Sequence, residues 1–224
     1  MPLPPPGAPP FSPPLRKSAQ QPRCDVADLG PRLWHQAGTR AHPGPRPPWD
    51  LLALAPFSDG MNAGTLQRAE LGALPSSGQE VKRITRLMAG HVETMTGRAA
   101  TARAFKQEPL RDYKVIHLAT HALLDPQIPS RSAIVFALGS TPDDGWLRSR
   151  EISSLDLAGQ LVVLSACQSA AGTTSSAEGM HSLARAFTYA GARTVVGALW
   201  KVEDVSAAVF VEDMYTSIAA GQSV

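Results

Sequence analysis

From Trp49 onward, short apolar runs alternate with segments whose apolar residues recur every three or four positions. That alternation is the pattern of strands and helices taking turns in an α/β sheet. Leu51-Leu52-Ala53-Leu54-Ala55-Pro56 reads as a first buried strand, 92 to 96 as a short second one, and 114 to 119 as a third that ends at His121. Ala133 to Leu138, then Trp146-Leu147 after a Pro142-Asp143-Asp144-Gly145 turn, suggest a hairpin-like excursion. Strands follow at 161 to 165 and Thr194 to Trp200. The longer runs are near-continuously apolar, as in strands covered on both faces of a parallel sheet.

Between these runs the period changes to that of a helix. Ser77-Gly78-Gln79-Glu80 has the form of a capping box, followed by Val81, Ile84, Leu87 and Met88 at helical spacing, which predicts a helix over 79 to 89. Further helices are expected over 99 to 106 and, briefly, over Ser149 to Leu155. Ser175-Ser176-Ala177-Glu178 is a second capping box, with Met180, Leu183, Ala184, Phe187 and Ala190 on one face and Gly191 placed as a left-handed stop. A last helix over 204 to 219 carries Ala208, Val211, Tyr215 and Ile218 on one stripe.

Residues 1 to 49 differ in kind. They hold 14 of the chain's 20 prolines, and a segment of this composition buries too little apolar surface to offset its ordering entropy. A disordered tail over 1 to 49 and one domain over 50 to 224 are therefore expected, the 43% hydrophobic content sufficing for one core. Cys24, Trp34, His35 and His42 in the tail show no ligand spacing. The net charge of +2 arises there too, from six Lys/Arg against two Asp/Glu, and leaves the remainder slightly acidic at 15 against 17. No basic-aromatic pattern accompanies it, so no nucleic-acid partner is expected. Apolar runs are too short for a membrane span, and the start at Met1-Pro2-Leu3 lacks the apolar core of a signal peptide. Two cysteines make no disulfide framework, which fits a cytoplasmic protein whose thiol stays usable.

Two strand ends carry the chemistry. Val115-Ile116-His117-Leu118-Ala119-Thr120-His121 and Leu161-Val162-Val163-Leu164-Ser165-Ala166-Cys167 each run into a reactive side chain. Ligands of open parallel sheets bind at the carboxyl ends of the strands, and adjacent strands lie about 4.8 Å apart, so imidazole and thiol would share one rim. A thiol needs a base or a positive dipole to ionise, and His121 is the available base. The backbone N–H groups of Ala122 and Cys167 are the expected oxyanion donors. His117 sits inside its strand and reads as a hydrogen-bonded core residue; in a strand it lies about 13 Å from His121, too far to share one metal ion. Asp125, Glu178 and Asp204 are the acids nearest the rim in sequence, and each reads as a loop or helix-start residue. No cofactor and no metal are called for, and the glycine patterns of nucleotide-binding folds are absent after every expected strand.

Several ordered motifs together resemble one known family. His-Leu-Ala-Thr-His (117 to 121), Leu-Asp-Pro (124 to 126), Val-Val-Leu-Ser-Ala-Cys-Gln (162 to 168), Glu178-Gly179, Leu-Ala-Arg-Ala-Phe (183 to 187), Tyr-Ala-Gly-Ala-Arg (189 to 193) and Leu-Trp-Lys-Val-Glu-Asp (199 to 204) look like those of the CHAT domain family. These are caspase-like domains, related to caspases and separases and often found beside tetratricopeptide repeats. The resemblance covers roughly 50 to 224 and is most specific from 113 to 204. It implies a caspase-like three-layer sandwich with a mostly parallel sheet, His121 and Cys167 as a catalytic dyad, and hydrolysis of peptide bonds through a thioester. It also implies a protein or peptide substrate and a regulatory repeat-domain partner, with Ser165, Gln168 and Asp125 near the substrate. Ala122 departs from it, standing where the family usually has glycine, and so does Ser165, neutral where related peptidases carry an acid or amide. The family usually continues past the last helix, which implies truncation at Val224. The runner-up is a catalytically inactive protein-interaction module of the same fold.

Overall fold

The computed structural model describes residues 49–58, 71–88, 90–125, 127–139, 145–168, 176–198, 204–220 and 222, without the side chains of 49, 166–168, 176–178 and 204–208. All of these lie within one unit spanning 40–224. The tail residues Cys24, Trp34, His35 and His42, the turn at 142 to 144, and the side chains of Gln168, Glu178 and Asp204 fall outside the described set.

Seven strands form one sheet. They are β1 (Trp49–Ala55), β2 (Val92–Thr96), β3 (Tyr113–Leu123), β4 (Ala133–Val135), β5 (Trp146–Arg148), β6 (Leu161–Gln168) and β7 (Thr194–Gly197). Four parallel pairings give the order β2-β1-β3-β6-β7. β3 outruns β1, whose last pair with it is Leu54 with Leu118. Ala122 then pairs with Gln168 of β6 on one side and with Ile134 of β4 on the other, so antiparallel β4 takes the flank that β1 leaves. β5 closes the excursion antiparallel to β4, as the hairpin-like reading of 133 to 147 expects.

Helices cover both faces. α1 (Pro75–Leu87) and α5 (Asp204–Ala219) pack on one side, where Val81, Ile84, Val211 and Tyr215 meet Leu51, Ala53, Val115 and Val163. α2 (Ala102–Gln107), α3 (Ser149–Ile152) and α4 (Ser176–Tyr189) cover the other with Phe105, Ile152, Leu183 and Phe187. Odd and even positions of β3 divide between these two cores: Val115 and Ala119 in one, Ile116 and Leu118 in the other. A strand so placed is mostly apolar on both faces, which is why its sequence reads as a near-continuous run rather than an alternation.

Several boundaries differ from the sequence reading. α1 starts at Pro75, with Leu74 at the N-cap and no side-chain cap, because proline at N1 supplies a helical φ without one. Ser77 lies inside the helix and its Oγ donates to the Leu74 carbonyl at 2.6 Å, while Glu80 turns toward the sheet instead of capping. The helix expected over 99 to 106 is a 3-10 turn (Gly97–Ala99) followed by α2, whose N-cap Thr101 accepts from the Ala104 N–H at 3.0 Å. β3 and β6 do not stop at 119 and 165 but continue through His121 and Cys167, since each strengthens the other's ladder up to Ala122 and Gln168. α3 ends at Ile152, three residues short of the expectation. Gly191 does close α4: its φ is +112°, and the N–H groups of Gly191 and Ala192 bond the carbonyls of Thr188 and Phe187 at 3.0 Å, a Schellman motif.

Candidate active site

The sheet changes winding direction between β1 and β3, because the chain leaves β1 for β2 on one side and returns to β3 on the other. Such a switch point opens a crevice at the carboxyl ends of the two strands. His121 stands there, at the end of β3. Phe57, just past β1, packs its ring 5.3 Å from the imidazole, and the carbonyl of Gly72 accepts a hydrogen bond from His121 Nε2 at 2.8 Å. Both contacts come from the segment joining β1 to α1, so the crevice is lined by the elements that create it.

The Gly72 bond decides the tautomer. A carbonyl only accepts, so Nε2 carries the hydrogen and the neutral imidazole keeps its lone pair on Nδ1. His121 is only 4% exposed, and burial lowers its pKa below the ordinary 6.5, the Gly72 hydrogen bond opposing that shift in part. The ring is therefore neutral at pH 7, the form that accepts a proton. The unfolded chain takes up a proton below pH 6.5 that the folded imidazole refuses. This contribution to stability is thus present above pH 6.5 and lost as pH falls through the lowered folded value. As pH falls below 6.5, the unfolding free energy of the wild type should drop more steeply than that of His121→Gln, measured by urea titration at each pH. Equal slopes would contradict the assignment.

Directly across the ladder from His121 stands Cys167. The two positions are register partners on neighbouring parallel strands, whose separation is about 4.8 Å. Cys167 has the pleat parity of Val163, which lies in the core on the His117 side of the sheet. Among the described residues the pairing of β6 with β7 stops at Leu164 with Gly197. Ala122 is fully buried with strands on both sides. The ladder occupies both flanks of Ala122, which leaves its N–H poorly placed as an oxyanion donor.

The remaining sequence candidates separate. His117 is fully buried and bonds the Tyr215 hydroxyl through Nδ1 at 3.0 Å. Its Nε2 lies 3.0 Å from Glu80 Oε1, off the hydrogen-bond line. Burial, then the nearby Glu80 charge, pushes the Tyr215 phenol well above its usual pKa, so the hydroxyl stays protonated and ties α5 to the sheet. His117 is thus the core residue the sequence suggested. Asp125 accepts from the N–H groups of Gln127 at 3.0 Å and Ile128 at 2.8 Å through one carboxylate oxygen, an Asx turn that shapes the loop after β3. Ser165 is half-buried beside Ala119, two pairs below the His121–Cys167 level. Sequence reasoning missed Phe57 and Gly72. The carbonyl of Gly72 is a backbone group that any residue supplies, so no side-chain signal marks it.

The model of the CHAT domain family matches residues 20–224. This chain belongs to the CHAT domain family. The match begins within the Pro-rich segment, upstream of the 49/50 boundary expected from composition. The chain is also similar to mouse tetratricopeptide repeat protein 28, at 40% identity over 75 residues, which is 34% of the chain and 3% of that protein. The CHAT domain therefore corresponds to a small part of that much longer relative.

Proposed function

We propose that this CHAT domain is a caspase-like cysteine endopeptidase, with His121 and Cys167 as its dyad and a tetratricopeptide-type repeat domain as its regulator. The observation that carries the reading is the register pairing of His121 with Cys167 at the sheet's switch-point rim. Nδ1 of His121 takes the proton from the Cys167 thiol, and the thiolate attacks the scissile carbonyl carbon. The negative charge that develops on the carbonyl oxygen is met by the Cys167 N–H. The imidazolium returns its proton to the leaving amine, a thioester forms, and water activated by the same imidazole hydrolyses it. Gly72 holds the ring's tautomer through the cycle, since its bond to Nε2–H strengthens when the ring is charged. No step needs a cofactor.

The caspase-like form of the fold and the cytoplasmic location belong to the same proposal. The first is supported by the parallel order with both reactive positions at strand ends, the second by two cysteines without a disulfide pattern. Among the described residues no helix is long and apolar enough to cross a membrane. A regulatory partner is supported by the family and by the similarity to a repeat protein.

One observation favours the inactive interaction module instead: an imidazole 4% exposed meets no substrate until the segment around Phe57 and Gly72 shifts. Comparing new peptide N-termini in a lysate treated with wild type or Cys167→Ala separates the two. The enzyme generates N-termini that the variant does not; identical sets support the module.

A further inference from the structure

A cleft of about 900 Å³ opens immediately beyond the reactive rim, between the end of β3, the loop after it and the β4–β5 excursion. That is at the upper end of the range for ligand pockets, about 300–1,000 Å³. Its floor is apolar. Leu123 and Trp146 belong to the cluster that contains Phe57, whose ring packs on His121, so floor and imidazole share one block of side chains. Ile128, 40% exposed, stands at its mouth.

The rim is cationic. Arg131, Arg148 and Arg150 line the cleft with Asp125 and Glu151, and both carboxylates are engaged within the protein. Asp125 is held by the N–H groups of its own turn. Glu151 accepts from Lys106 Nζ at 3.0 Å through one oxygen and from the Arg148 N–H at 3.1 Å through the other, closing the start of α3. Arg148 lies over the Trp146 ring, 5.6 Å from its centroid. Arg131 and Arg150 are exposed, and among the described residues neither has a carboxylate within ion-pair distance. An apolar floor under exposed guanidinium groups complements a chain that alternates apolar and carboxylate side chains.

We propose that this cleft binds an extended acidic peptide segment of a partner protein. Identifying that segment with the substrate's own chain next to the scissile bond rests on the peptidase reading; the binding itself does not. A polyanion such as nucleic acid would satisfy the arginines but leave Leu123, Trp146 and Ile128 against a charged backbone.

The test uses the full chain carrying Cys167→Ala, which leaves peptides intact, with fluorescence anisotropy of a labelled octapeptide of alternating Glu and Leu. The acidic peptide should bind about tenfold more tightly than its Gln-for-Glu counterpart. Arg131→Glu combined with Arg150→Glu, both at exposed positions that tolerate substitution, should abolish that preference without changing the thermal midpoint. Equal binding of the two peptides, an unchanged preference in the double variant, or tighter binding of a single-stranded oligonucleotide would each overturn the proposal. A wild type that binds the acidic peptide but fails to react at Cys167 with a peptide electrophile would leave it standing and refute the peptidase reading. Reaction at Cys167 without acidic preference would do the reverse.

Discussion

Cys167→Ala and His121→Ala should each lower kcat/KM for a cleaved peptide by about 10⁴-fold, and the double variant should be no worse than either alone. The non-additivity follows from the chemistry. The imidazole acts only by moving the thiol's proton and returning it to the leaving amine, so once the sulfur is gone the base has nothing to do. The control is stability, because His121 also packs against Phe57 and bonds Gly72. His121→Gln retains a donor for the Gly72 carbonyl and much of the volume, yet offers no base of suitable pKa. It should fold like the wild type and remain inactive. Activity in His121→Gln within tenfold of wild type would make His121 a packing residue.

The largest structural effect is expected at Gly191. Its φ of +112° lies where side chains are strained, and an added Cβ would stand 2.3 Å from the carbonyl oxygen of Leu157. That loop cannot simply withdraw. Leu157 N–H bonds the Ala190 carbonyl at 2.9 Å and Gly159 N–H bonds the Gly191 carbonyl at 2.8 Å, so the end of α4 is fastened to the segment leading into β6. Backbone strain and steric displacement together make Gly191→Ala destabilising by about 3 kcal/mol, read from the urea midpoint at constant m-value. Because β6 carries Cys167, the same variant should also lose activity at temperatures where it remains folded. A loss under about 1 kcal/mol would show that Leu157 moves aside freely.

Much of this architecture was legible because a few patterns are strongly physical. Near-continuous apolar runs at 51 to 55, 115 to 119 and 161 to 164 admit little but strands covered on both faces, and α5 matches its expected range of 204 to 219. The hairpin-like excursion was read from its turn residues. Where local signals misled, a tertiary contact had overruled them. Ser77 and Glu80 have capping-box spacing, yet Pro75 starts the helix two residues earlier and Glu80 instead faces His117. β3 and β6 run past the ends that the sequence predicts because His121 and Ala166 lack strand character of their own; mutual pairing extends them. The position of His121 opposite Cys167 followed from counting along the two runs. What orients His121 did not, since a backbone carbonyl 49 residues away leaves no trace in residue type.

The claim that His121 activates Cys167 is tested most directly by covalent labelling with a peptidyl acyloxymethylketone, followed by peptide mapping to tell Cys167 from Cys24. Wild type should be modified at Cys167, at a rate that rises with pH through the His121 transition below 6.5, while His121→Gln should label at the slow rate of an ordinary thiol. Equal rates in the two proteins, or modification of Cys24 alone, would contradict the account.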